Sequence, residues 1–154
     1  MLGELFPKEN IVINLESEDK DELFEEMLET LVSAQPQIDR TEALAALRLR
    51  ESKMSTGIMP GVAVPHAISR TVRGAVGAVG ISRAGIDYDS LDGSPVHVVF
   101  MILFAEGSSE HHLQVMRVFA ELLHVPDFER CILSKKTPQE IHDFIISCEA
   151  ELAG

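Results

Sequence analysis

Basic residues are scarce in this chain. Among 154 residues, Lys and Arg number 13 against 25 Asp and Glu, for a formal net charge of −12. A surface of that sign repels nucleic acid and anionic bilayers, so it argues against both as partners and favours a basic protein. Cysteine is nearly absent. Cys131 and Cys148 lack the spacing of a disulfide framework and read as reduced thiols of a cytoplasmic protein. Long apolar runs are missing too: the longest, residues 98–105, is far short of the ~20 residues that a membrane-spanning helix needs. The opening Met-Leu-Gly-Glu-Leu-Phe-Pro has neither the basic start nor the apolar core of a secretion signal. No repeat, low-complexity tract or linker interrupts the sequence. Residues 1–154 therefore read as a single domain, large enough to bury roughly 70% of its unfolded surface without a staple.

What is present is an uneven alternation of strand and helix patterns. Residues 11–15 form a short strand candidate. Ser17 or Asp19 caps a helix whose Leu23, Phe24, Met27, Leu28, Leu31 and Val32 recur at helical spacing. Asp39 and Thr41 cap a second, with Ala43, Leu44 and Leu47 inward. Residues 55–60 break the pattern as a loop. Val62-Ala63-Val64 then reads as a buried strand, ended by Pro65 because proline cannot donate to a ladder. Residues 75–81 form a strand with two glycines that permit close packing, and residues 86–88 a short extension. Residues 96–104 are almost wholly apolar and β-branched, the signature of a central strand buried on both faces. Three helical patterns follow: one capped by Ser108 or Ser109, a short one over residues 127–134, and one opened by the capping box Thr137-Pro-Gln-Glu140. The whole predicts an α/β fold, a mixed sheet flanked by helices on both faces.

Six histidines are available: His66, His97, His111, His112, His124 and His142. His97 lies in the central strand, and His124 and His142 lie on helices without an evident partner. All three read as packing or surface residues. His66 is different, because the proline before it holds it at a sheet edge, open to a cleft. His111 and His112 open a helix whose free amides and dipole favour an anion and keep a histidine neutral. Strand ends and helix starts gather on one edge of an α/β sheet, so two imidazoles can meet there. Arg50 offers a planar fork of donors to a phosphoryl group, and the hydroxyls of the Ser55-Thr56-Gly57 loop offer single ones. The plainer reading of Arg50-Glu51 is a surface ion pair.

Residues 51–67, Glu-Ser-Lys-Met-Ser-Thr-Gly-Ile-Met-Pro-Gly-Val-Ala-Val-Pro-His-Ala, resemble the phosphorylation-site signature of enzyme IIA domains of the fructose–mannitol class of the sugar phosphotransferase system. That class includes the nitrogen-regulatory branch. Asp92-Gly-Ser-Pro-Val-His-Val-Val-Phe100 is similar to the family's central strand, and Glu110-His-His-Leu-Gln114 to its helix with a second histidine. The resemblance implies a five-stranded mixed sheet. It implies that His66 takes a phosphoryl group from HPr or an HPr-like carrier and passes it to an enzyme IIB. His112, directly before Leu113-Gln114, matches the second active-site histidine, and Arg50 the arginine sixteen positions before His66. With Thr56 these residues would hold the phosphoryl oxygens, with no cofactor and no metal. At Met59 the family usually has a small residue, often glycine. Two alternatives stand beside the relay. One is a regulatory module of the nitrogen type, whose phosphorylation state controls partner proteins. The other is a His66–His112 metal site, which lacks a third ligand at fixed spacing.

Overall fold

The computed structural model describes residues 1–57 and 59–153. After a one-turn helix α1 (Leu2–Leu5) come β1 (Ile11–Val12), α2 (Lys20–Ala34), α3 (Arg40–Lys53), β2 (Val62–Ala63), β3 (His66–Ser69), β4 (Ala75–Ile86), β5 (Val96–Ala105), α4 (Ser109–Leu122), α5 (Phe128–Leu133) and α6 (Pro138–Ala153). The strands form one mixed sheet in the order β1-β4-β5-β2, with β3 also on β5. β4 and β5 pair antiparallel, and every other pair is parallel.

Strand β5 organises the core, since its side chains alternate between two apolar layers as strand geometry requires. Val98, Phe100, Ile102 and Phe104 face α1, α4, α5 and α6, while Val99, Met101 and Leu103 face α2 and α3. All seven are fully buried, as expected for a central strand covered on both sides. The glycines of β4 let neighbours close in: a Cβ on Gly77 would lie 2.5 Å from the Phe6 ring, and one on Gly80 2.6 Å from Leu15. Asp19 and Asp39 cap α2 and α3 by accepting the Glu22 and Glu42 amides. Thr137 caps α6 as expected by accepting the Glu140 amide at 3.1 Å, while the Glu140 carboxylate takes the Thr137 hydroxyl rather than its amide.

The edge strand differs from expectation. Pro65 interrupts the strand without ending it. Val62 and Ala63 pair with Val98 and Val99, the ladder skips two residues, and it resumes from His66 opposite Ile102 in unchanged register. Proline forfeits only its own N–H; its carbonyl still accepts the Ile102 amide at 3.0 Å. His66 therefore opens β3, and Ser69 is buried at its far end. β4 also runs further than expected, to Ile86, through an irregular register after Ile81.

Within the loop expected over residues 55–60, Ile58 lies outside the described residues. Met59 is half-buried against the core, and its carbonyl accepts the Val62 amide at 3.1 Å. Gly61 follows at φ 79°, a left-handed turn that glycine adopts at no steric cost, and its carbonyl takes the amides of His97 and Val98.

Candidate functional site

His66 shares its sheet face with Val62 and Val64, the face covered by α4. Its ring is half-buried, and Nδ1 lies 2.8 Å from the Val64 carbonyl oxygen. A carbonyl only accepts, so Nδ1 carries the hydrogen and Nε2 is left with the free lone pair. Burial holds the imidazole below the usual histidine range. The Val64 bond and, more weakly, Glu51 oppose that shift, while Arg50 and His112 add to it. The result is a neutral ring of one tautomer with one nucleophilic nitrogen.

Helix α4 brings the second imidazole. His112 is in its first turn, where its amide makes the first bond of the helix, to the Ser108 carbonyl at 2.9 Å. Its ring stacks on Phe104 at 4.3 Å between centroids and meets His66 edge-on at 5.7 Å. Burial, then Arg50, lowers its pKa as well. His111 is exposed; its ring meets Phe104 edge-on at 6.3 Å, and it borders a separate depression beside Met1 and Glu4. Of the two histidines that open α4, His112 is the one in contact with His66.

Arg50 arrives from the opposite layer, since the last turn of α3 passes the edge of the sheet. It donates from Nη1 to the Met54 carbonyl at 3.1 Å. With His66, Ser55, Met116 and Phe119 it lines a cavity of about 380 Å³. The cavity is apolar apart from these few groups, so a charge brought into it is poorly screened.

Thr56 borders the same cavity but turns its hydroxyl away from it. The hydroxyl donates to Glu51 Oε1 and the amide to Glu51 Oε2, both at 2.8 Å. The Tyr88 hydroxyl completes the group, 2.8 Å from Thr56 Oγ1 and 3.2 Å from Glu51 Oε1. Ser55 Oγ accepts the Gly57 amide at 3.1 Å, which leaves its own proton free.

Glu51 is the residue that sequence reasoning missed. It makes no surface pair with Arg50. Its side chain is 5% exposed, and Lys20 of α2 is its counter-ion at 3.2 Å. The signal lay in the helical period: Ala43, Leu47 and Glu51 recur every four residues and are the buried stripe of α3. Arg50, one position earlier, faces another way. Burial and the Glu51 charge push the Tyr88 hydroxyl far above its usual range, so it stays protonated and donates.

The other histidines are structural. His97, His124 and His142 each place Nδ1 within hydrogen-bond distance of a backbone carbonyl, of Ser82, Ala120 and Phe6. Among the described residues no cluster of three or more His, Cys, Asp or Glu is placed to hold a metal ion.

Residues 4–148 match the family model described as "Phosphoenolpyruvate-dependent sugar phosphotransferase system, EIIA 2". The chain is 38% identical over 144 residues to the fructose-specific EIIABC component of Bacillus subtilis, covering 94% of this chain but only 23% of that relative. It is 31% identical to the fructose-specific EIIA component of Haloferax volcanii, over 94% of each. Among solved structures, the nitrogen regulatory protein IIA-Ntr of Neisseria meningitidis superposes with a TM-score of 0.85 at 28% identity, covering 94% of this chain and 98% of that one. The sheet, the paired histidines on one edge of it and the match over nearly the whole length agree: this chain belongs to the EIIA type 2 family of the phosphoenolpyruvate-dependent sugar phosphotransferase system.

Proposed function

We propose that this chain is a phosphoryl relay. Nε2 of His66 attacks the phosphoryl group of a phosphohistidine on HPr or an HPr-like carrier. As the new N–P bond forms, the donor's N–P bond breaks and the donor imidazole leaves with that electron pair. The reverse exchange hands the group to an enzyme IIB. The observation that carries this reading is the Val64 carbonyl on Nδ1, which leaves Nε2 free on a ring that meets His112 edge-on and lines a cavity together with Arg50. Transfer between two imidazoles needs alignment and charge stabilisation more than acid–base chemistry. Arg50 and His112 supply donors for the equatorial oxygens, and the Ser55 hydroxyl is better placed than that of Thr56 to add one. The Thr56 hydroxyl is engaged by Glu51 instead.

The net charge of −12 suits a basic donor protein, so association should slow as salt rises. A carrier of this kind works in the cytoplasm. Among the described residues no helix is long and apolar enough to cross a membrane.

The test is labelling. Isotopically labelled phosphoenolpyruvate, enzyme I and HPr should label the wild-type chain once, on a histidine, and should not label His66→Ala. Undiminished labelling of that variant refutes the assignment. The likeness to the Neisseria nitrogen regulatory protein supports a second reading, in which phosphorylation switches the binding of a target protein. Mixing the phosphorylated chain with candidate IIB proteins separates the two: label moves to a IIB only if the chain is a link in transport.

A further inference from the structure

A continuous run of hydrogen bonds leads from the far layer of the fold to the imidazole of His66. Lys20 Nζ on α2 sits 4.5 Å over the Tyr88 ring and 3.2 Å from Glu51 Oε2. Glu51 accepts both the amide and the hydroxyl of Thr56. The Thr56 carbonyl accepts the Val64 amide at 3.3 Å. The Val64 carbonyl accepts Nδ1–H of His66 at 2.8 Å. Val64 is therefore held from both sides at the point where Pro65 opens the ladder. There the parallel strand β5 does not hold it.

A buried carboxylate is a costly way to fasten a loop, because desolvating the charge opposes its attractions. An apolar residue on the same stripe as Ala43 and Leu47 would pack at least as well for stability alone. Glu51 offers what an apolar residue cannot: two oxygens that fix Thr56 by its amide and its hydroxyl together. We propose that Glu51 is a positioning residue for His66, setting the place of Thr56 and so of Val64, whose carbonyl decides which imidazole nitrogen is free to react. This rests on the relay reading for its purpose but not for its geometry. The charged or titratable groups facing His66 are Arg50 and Glu51 from α3 and His112 from α4.

The test uses the full chain labelled with ¹⁵N-histidine, unphosphorylated and without partners, so it is independent of whether the relay operates. In the wild type at pH 8, long-range ¹H–¹⁵N spectra should show His66 as one neutral tautomer, protonated at Nδ1. In Glu51→Gln and in Thr56→Val the two nitrogen shifts of His66 should move toward each other as both tautomers are populated, and Thr56→Ser should restore the wild-type values. Removing the Glu51 charge also takes away an influence that raises the His66 pKa, so its titration should move further toward acid. Labelling by phosphorylated HPr should slow about tenfold in Glu51→Gln with an unchanged endpoint, the scale expected for a misplaced reacting atom. Should Glu51→Gln not fold, Thr56→Val, which keeps the amide bond to Glu51, decides the matter. Wild-type His66 shifts in folded Thr56→Val and Glu51→Gln overturn the proposal, as does a changed tautomer with an unchanged labelling rate. Loss of labelling in the wild type would sink the relay and leave the tautomer result standing.

Discussion

Replacing His112 by Ala should separate accepting a phosphoryl group from passing it on. The ring does two things in the structure. It stacks on Phe104 at 4.3 Å and presents an edge to His66 at 5.7 Å. The centroids are too far apart for a close direct bond between the rings. Losing the stack costs about 1 kcal/mol, or about 2–4 °C in melting temperature for a chain of this size. The fold survives that loss. Losing a donor to a charged oxygen costs about 1.5–3 kcal/mol, which is a rate factor of about ten to about one hundred and fifty. The assay charges the variant with labelled phosphoenolpyruvate through enzyme I and HPr. It then mixes the purified phosphoprotein with a cognate IIB in a rapid-quench device. His112→Ala should reach the wild-type endpoint of labelling but release label to IIB about ten- to one-hundred-and-fifty-fold more slowly. His112→Gln, which keeps an N–H, should recover part of the rate. Onward transfer within twofold of wild type in His112→Ala would show that the second imidazole does not hold the phosphoryl group.

Other outcomes follow from the same geometry. Because burial holds His66 and His112 below the usual histidine range, phosphoryl acceptance should be flat across neutral pH and fall only on the acid side of 6.5, measured as initial labelling rate. Stability should move in the same direction. Between the folded pKa values and 6.5 the unfolded chain binds more protons, so the folding free energy is complete above pH 6.5 and declines as pH falls through that window. Urea titrations from pH 7.5 to 5 on wild type and His66→Gln will show a weaker decline in the variant. Arg50→Lys keeps the charge but not the planar fork; labelling should slow about tenfold or more while the melting temperature stays within a few degrees. Phe119→Ala removes a buried ring that touches Phe100 at 4.9 Å and walls the cavity beside His66, and it should cost about 3–5 kcal/mol in urea unfolding. Phe119→Leu should recover most of that.

Local chemistry determined most of the elements. The run over residues 96–104 had to be a strand buried on both faces, because from Val98 to Phe104 no polar side chain breaks it and only His97 near its start is polar. Asp19, Asp39 and the Thr137–Glu140 box had to start helices, because their side chains meet amides a turn away. His66 stood out for the same kind of reason, through the proline beside it, and the pattern around it was enough to suggest a family. Pairing was another matter. Whether His66 met His111 or His112 depended on how α4 crosses the sheet, and a one-residue rotation of a helix carries no local signature. The resemblance chose His112, and packing on Phe104 put that ring against His66. Pro65 looked like an end because only its missing donor is visible in the sequence, while the carbonyl that lets the ladder resume finds its partner in β5. Thr56 and Glu51 were misplaced for the same reason. Read in isolation, a loop hydroxyl faces the ligand and a helix-end glutamate faces water. Tertiary structure turned them toward each other, because Glu51 lies on the buried stripe of α3 and its carboxylate must find donors there, which Thr56, Tyr88 and Lys20 supply.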